Sequence, residues 1–326
     1  MRTFSRMLIV FLLFLSFYMT VNAQEYKWYK GQTHMHTKNS DGDSYPQEVV
    51  TWYKDHGYNF IVITDHNHIT PAIYYDVNPN DDLILIEGEE VTDNFNKIPC
   101  HVNALNIHTL VEPQGGGSVI ETLQRNSDAI LQAGGVPQIN HPNWRWSFGA
   151  EELKALSGVV LFELWNVSYS SNNLGGSGKP SMEEIWDDVL TSGKIMYGLA
   201  TDDMHDLKGE YLWQYANPGR GWIVVRAKEL TPNAIINALI KGDFYSTTGV
   251  SLADYQVTKE KMIVTLPENP QMGNTIFFIG KNGKVLSKSV ENPAVYTFSG
   301  NEIYVRAKII SSDGETAFLQ PYFINR

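Results

Sequence analysis

Cysteine is almost missing from this chain: Cys100 stands alone among 326 residues. No internal disulfide can form, so stability must come from packing and bound metal. Basic residues are also scarce, with 25 Lys and Arg against 36 Asp and Glu and a formal charge of −11. Such a surface repels polyanions and disfavours extended nucleic-acid binding, while small anionic substrates stay compatible with it. Past the N-terminal stretch, no apolar run is long enough to cross a bilayer. Internal repeats and low-complexity tracts are absent too. The 43% apolar and 12% aromatic content is that of a globular protein and argues against disorder.

The N-terminus has its own pattern. Arg2 and Arg6 precede an apolar run over 7–18, followed by Val21-Asn22-Ala23. That order predicts a signal peptide over 1–23, cleaved after Ala23, and hence an exported protein, periplasmic or extracellular, with no membrane span once the leader is gone. The other reading of the run is an uncleaved anchor. Cleavage removes two arginines and no acid, taking the charge from −11 to −13.

Seven apolar runs alternate with helix-like segments, over 28–37, 60–66, 83–91, 102–107, 136–141, 159–165 and 195–203. Near-continuous apolar character predicts strands buried on both faces, as in a parallel α/β sheet, and this number of strand–helix repeats suggests a barrel. Helix signals fall between the runs. Pro46 opens one helix that stops at Gly57, Gly134-Gly135 closes another, Ser181-Met182-Glu183-Glu184 is a capping box, and Thr231-Pro232 starts a helix ending near Gly242. The pattern changes near residue 250. Over 251–326 short strands predominate, Asn282-Gly283 reads as a hairpin turn, and Ile303, Val305, Ala307 and Ile309 alternate with Tyr304, Arg306 and Lys308. The expectation there is a small β-sandwich, with Tyr304, Arg306 and Lys308 on its wet face.

Ionisable residues concentrate at the ends of the runs. His34 and His36 end the first, with Asp41 just after. Asp65 and His66 end the second, and Glu89 and Glu90 the third. His101 borders the fourth, His141 ends the fifth, Glu163 lies in the sixth, and Asp203 and His205 follow the seventh. In a parallel barrel the C-terminal strand ends converge on one mouth. His34 and His36, two apart on a strand, share a face. Six of the nine histidines occupy these positions, too many for satisfied core histidines. Buried imidazoles and carboxylates would cost several kcal/mol or shift their ionisation unless paired, and coordination of zinc, manganese or iron(II) relieves that cost.

Taken together, His34-x-His36, Ser40-Asp41-Gly42, Thr64-Asp65-His66, Gly88-x-Glu90, His101, Asn140-His141-Pro142 and Asp203-x-His205 resemble the PHP (polymerase and histidinol phosphatase) family in identity and order over roughly 28–250. The resemblance implies a distorted (β/α)7 barrel over 24–250 and two or three divalent cations, Mn2+, Zn2+ or Fe2+. By that resemblance one ion would take His34, His36, Glu90 and Asp203. A second would share Glu90 and add His101 and His141, and a third would take Asp41, His66 and His205. Asp203, His205 and Glu90 would carry the catalysis. Asp202 competes with Asp203, and Glu89 with Glu90, while Asp65 and Glu163 would support ligands. The implied activity is a metal-dependent phosphoesterase, with a metal-bridging hydroxide attacking a small anionic phosphate ester in line.

Trp144, Arg145 and Arg220 are the candidates for substrate binding, with Trp146 and Lys208 behind them. His56, His68 and His108 read as surface or structural residues, and Cys100 beside His101 as no more than a nominal thiol nucleophile. Two other readings stay open. The same ligands serve a carboxylic-ester or carbamate hydrolase, and a degenerate barrel with the sandwich as glycan reader would make the chain a non-catalytic binding protein.

Overall fold

The computed structural model describes residues 25–74, 82–268, 270 and 273–324; the expected leader lies outside them. The seven apolar runs form strands β1 (Lys27–Gln32), β2 (Phe60–Ile63), β3 (Ile84–Val91), β6 (Val102–Leu105), β7 (Val136–Ile139), β8 (Leu161–Asn166) and β9 (Tyr197–Thr201). Two-residue strands β4 (Asn94–Phe95) and β5 (Ile98–Pro99) make a hairpin between β3 and β6, and β10 (Trp222–Ala227) and β11 (Phe244–Thr247) follow β9. The sheet order is β9-β8-β7-β6-β3-β2-β1-β10-β11.

Not every strand is parallel, as the all-parallel expectation required. β1, β2 and β3 pair in parallel, as do β7, β8 and β9, but β6 runs antiparallel to both β3 and β7. The ten residues between β3 and β6 explain it, since a parallel return needs a crossover of a dozen or more. The sheet also curls. Neighbouring strands sit ~4.8 Å apart, so six steps from β1 to β9 would span about 30 Å if flat. Yet Tyr29, Phe60, Val62, Ile86, Leu105, Leu161 and Leu199, from six of these strands, belong to one buried cluster. Beyond β1 and β9, Met35 and Met204 form a parallel bridge, with His36 N–H donating to the Met204 carbonyl at 2.8 Å.

The helices follow the sequence signals. α1 (Pro46–Asp55) starts on proline and buries Val49, Val50 and Tyr53 against Ile61, Ile63 and Met35. α2 (Val119–Gln132) is capped by Ser118, α3 spans Ala150–Ala155, α4 (Met182–Thr191) carries the Ser181/Glu184 capping box, and α5 (Pro232–Leu239) is capped by Thr231. No helix among the described residues is long and apolar enough to cross a membrane.

The C-terminal strands are β12 (Asp254–Val257), β13 (Lys261–Thr265), β14 (Asn274–Gly280), β15 (Lys284–Ser289), β16 (Ala294–Thr297), β17 (Tyr304–Ser311), β18 (Thr316–Leu319) and the two-residue β19 (Tyr322–Phe323), which pairs with β17. β14 and β15 are antiparallel across a turn in which Asn282 (φ 58°) and Gly283 (φ 71°) take the left-handed conformation their residue types favour. β12, β13 and β16 form a separate sheet. The others extend the large sheet through β18, which pairs antiparallel with β11. Both groups contribute to one apolar cluster, including Met262, Val264, Phe278, Val305, Ala307 and Ile309.

The supposedly wet face of β17 is not wet. Tyr304 and Arg306 are buried beneath α4, where Asp187 accepts from Arg306 Nε at 2.8 Å, from Arg306 Nη2 at 2.7 Å and from Tyr304 Oη at 2.7 Å. Alternation along a strand shows that two faces differ, and α4 supplies a polar partner for the second.

Candidate metal centre

The first strand delivers its histidines through an extended segment wedged between two neighbours. Thr64 N–H donates to the Met35 carbonyl at 3.0 Å on one side, opposite the Met204 bridge on the other. The turn after it is tight. A Cβ on Gly42 would lie 2.6 Å from the His36 carbonyl oxygen, so glycine there lets the turn fold back and bring Asp41 beside the imidazoles. Asp65 fixes that turn, accepting from Thr37 N–H (2.7 Å), Thr37 Oγ1 (2.8 Å), Ser40 Oγ (2.8 Å) and Thr70 Oγ1 (2.6 Å). His141 (φ 26°) and Asp203 (φ 46°) both hold left-handed backbone conformations. Such strain costs on the order of 1–3 kcal/mol per residue and gathers at functional sites.

Three groups of donors result: His34, His36 and Asp203; His66, Glu90 and His101; and His36, Asp41, His66 and His205. In the first, His34 Nε2 and His36 Nε2 are 3.1 Å apart, and each lies 3.1 Å from Asp203 Oδ1. Donors ~2.0–2.2 Å from a common cation stand roughly 3 Å apart, so this spacing fits a shared ion. Glu90 faces two ways. Its Oε1 lies 3.0 Å from His101 Nδ1 and 3.4 Å from His141 Nε2, while Oε2 lies 3.6 and 3.5 Å from His34 Nε2 and His36 Nε2. Oε2 is buried and lies 2.8 Å from His66 Nδ1, an ion-pair contact without the angular geometry of a hydrogen bond. The nearby His66 Nδ1 is bonded to Thr92 Oγ1 at 2.6 Å. A buried carboxylate oxygen ringed by imidazole nitrogens is what a cation would satisfy. The third group is more open: Asp41 is 54% exposed, with His66 Nε2 and His205 Nε2 each 3.4 Å from its carboxylate.

A supporting layer fixes the orientations. Glu163 accepts from His34 Nδ1 at 2.6 Å, Thr201 Oγ1 at 2.6 Å and His141 N–H at 2.7 Å, which turns the His34 Nε2 lone pair inward. Asn166 Nδ2 donates to Glu163 Oε2 and Asp203 Oδ2, both at 3.0 Å. Sequence reasoning missed Asn166, which carries no charge and belongs to none of the motifs; its only signal is its place at the end of β8. Asn140 Nδ2 likewise donates to Glu90 Oε1 at 2.8 Å.

The two ambiguous pairs separate in space. Asp202 turns away and accepts from the backbone N–H of Gly219, Arg220 and Gly221 and from Tyr53 Oη. Glu89 accepts from Val111 N–H at 2.6 Å, and burial pushes its carboxyl up to about 7.

Burial opposes ionisation throughout the cluster; it wins at His36, which burial and the neighbouring His205 lower to about 4, while opposite charges outweigh it at the ligands around that residue. Burial alone would lower the His34 pKa, but the Asp203, Glu163 and Glu90 carboxylates raise it well above the ordinary value. Likewise His66 and His205 rise to about 10 and about 9 against burial, chiefly through Asp41. Glu90 and Asp203 are held well below the usual carboxylate range, although burial works the other way, by the imidazoles around them. The pocket is thus built for buried positive charge, which protons or divalent cations can supply.

The proposed substrate contacts are placed differently from one another. The Trp144 ring lies over the centre, its centroid 5.1 Å from His141 and 5.7 Å from His101, and the exposed Arg145 stacks on Trp144 at 4.4 Å. Arg220 instead donates to the Tyr215 carbonyl at 2.8 Å and borders a neighbouring cavity. Trp146 is half-buried beside Arg145, and Lys208 pairs with Glu48 at 2.7 Å. His56 stacks on Trp52, His68 is exposed, and His108 pairs with Glu87 at 2.6 Å. Cys100 is fully buried and burial raises its thiol to about 11, which disfavours a nucleophilic role.

No family model matches the sequence, and no curated protein matches it either. Solved structures do. A two-domain protein from Bacteroides vulgatus, described as containing a predicted PHP-like metal-dependent phosphoesterase, aligns with a TM-score of 0.50 at 16% identity, over 92% of this chain and 95% of its own. The fold is PHP-like. A lesion-specific endonuclease from Pyrococcus furiosus (TM-score 0.39, 14% identity, 67% of this chain and 56% of its own) and an amidohydrolase from Chromobacterium violaceum (0.38, 15%, 55% and 88%) also match. At these identities the PHP-like likeness is one of architecture.

Proposed function

We propose that this protein is an exported metal-dependent phosphoesterase, built on a distorted (β/α)7 barrel followed near residue 250 by a small β-sandwich. The curled sheet, the Met35–Met204 bridge and the cluster shared by the C-terminal strands support that architecture. The observation that carries the functional reading is the two-sided Glu90 carboxylate, each oxygen facing a different set of imidazoles.

His34, His36, Glu90 and Asp203 would hold one cation, Glu90, His101 and His141 a second, and Asp41, His66 and His205 a third. Such cations, whether Mn2+, Zn2+ or Fe2+, supply an activated water and neutralise charge developing on the ester. The chain's part is placement. Glu163 and Asn166 keep His34 and Asp203 in register, so donors need no rearrangement when an ester arrives. Trp144 covers His101 and His141 and keeps bulk water off that side, leaving the open Asp41, His66 and His205 edge as the entrance for a small anionic ester. Asp203, His205 and Glu90 are the residues assigned to catalysis.

The test is hydrolysis of p-nitrophenyl phosphate and p-nitrophenyl acetate by manganese-loaded protein beside His141→Ala. Phosphate release lost in the variant is the expected result. Cleavage of the acetate alone would move the protein to the carboxylic-ester or carbamate hydrolases, and a trapped phosphoenzyme would contradict direct attack by water.

A further inference from the structure

The loops that follow β8 and β9 enclose, with the turn after β17, a cavity of about 640 Å3 next to the metal centre. Its rim exposes apolar side chains without covering them: Leu174 is 81% exposed, Trp213 69% and Tyr169 62%. Trp213 and Tyr169 meet edge to face with centroids 5.7 Å apart, so one ring braces the other and leaves a face open. The opposite wall carries the carboxylates of Asp313 and Glu315, bonded by Ser311 Oγ and Thr248 Oγ1 respectively.

Both aromatic loops are fastened. Arg220 ties the segment carrying Trp213 through the Tyr215 carbonyl, and the Asp202 carboxylate holds the backbone of Gly219, Arg220 and Gly221. Asn166 Oδ1 accepts from Ser168 N–H and Ser171 Oγ, both at 2.9 Å, and Asn173 clamps the Asn166 backbone on both sides, at 3.1 and 2.7 Å. The same Asn166 donates to Asp203 and Glu163. Asn166 therefore links the loop that lines the cavity to the metal centre.

The lining chemistry selects the ligand. Two carboxylates line the cavity with a single guanidinium already engaged by a carbonyl, a set unsuited to a second phosphate. Open aromatic faces beside hydrogen-bond acceptors suit a molecule with an apolar face and a rim of hydroxyl donors. We infer that this cavity is a saccharide subsite and that the ester presented to the metals is carried on a neutral sugar. The second half of this statement rests on the phosphoesterase reading; the subsite itself does not.

Binding is therefore measured on metal-free full-length protein, where hydrolysis plays no part. Maltotriose, cellotriose, xylotriose and triacetylchitotriose are titrated against tryptophan fluorescence and by calorimetry. Saturable binding of at least one is expected, weakened about tenfold by Trp213→Ala and by Tyr169→Ala through lost stacking. Asp313→Asn should weaken it without touching the rings. Trp213 and Tyr169 lie outside the core, so unchanged melting temperatures verify that each variant is folded. Silence with all four sugars, or binding that survives both aromatic substitutions, overturns the subsite. Binding without phosphatase activity in the loaded enzyme would leave the subsite standing and remove the phosphoesterase.

Discussion

Replacing Asp187 by alanine should destabilise this protein more than almost any other substitution far from the metal centre. Arg306 is 1% exposed and spends two of its nitrogens on Asp187, with Glu183 its next carboxylate at 3.8 Å. Removing Asp187 strands a buried guanidinium and also takes the acceptor from Tyr304 Oη. Breaking a buried pair from one side costs about 3–5 kcal/mol. For a chain of this size that lowers the melting temperature by about 5–8 °C. Replacing both partners at once, Asp187→Leu with Arg306→Met, removes the charge with its partner and should recover most of that loss, short of the parent by about 1–3 kcal/mol for the buried Tyr304 hydroxyl left without its acceptor. Urea unfolding of the parent, both single variants and the double variant gives the coupling directly. If Asp187→Ala costs under about 1 kcal/mol, or the double variant is as unstable as the single ones, the pair is not the buried clamp its geometry describes.

Glu163→Gln keeps the shape but loses the charge that orients His34, so metal affinity should fall roughly 10–100-fold; calorimetric titration with Mn2+ or Zn2+ checks it, and unchanged affinity would make Glu163 merely structural. Chelation should abolish hydrolysis and lower the unfolding free energy, by about 2.7 kcal/mol relative to metal held at a hundred times its dissociation constant. A melting curve indifferent to added metal would count against the centre. Cys100, buried and shifted up to about 11, should resist iodoacetamide at pH 8 in the native protein and react once unfolded; modification that blocked activity in the folded state would reverse its dismissal.

Much of the centre was legible because its residues are chemically expensive. Histidines and acids at the ends of apolar runs need a reason to be there, and the structure brings His34, His36, Glu90, His101, His141 and Asp203 together around one carboxylate. Strand direction was less legible, since an apolar run reads the same in either sense. The signal for β6 lay in the ten-residue connection before it. Arg220 was ambiguous, because a guanidinium in a glycine-rich loop looks the same whether it awaits a phosphate or, as here, donates to a carbonyl of its own loop. Asn166 was invisible for the opposite reason: a neutral amide attracts no notice until both its partners are seen. Arg306 shows the limit of alternation, which reports a second environment without saying whether that environment is water or a helix.

The pairing of β11 with β18 has a consequence for how the chain is made. Phe244–Thr247 emerges from the ribosome some seventy residues before Thr316–Leu319, its partner in the sheet. Until the partner arrives, its outer backbone groups are bare, and so is the Gly198 N–H on β9, which donates to the Gln320 amide oxygen at 2.9 Å. A nascent chain ending near residue 250 therefore offers sticky seams to its neighbours. Export in an unfolded state would postpone that hazard, because every strand would then reach the folding compartment before the first sheet has to close.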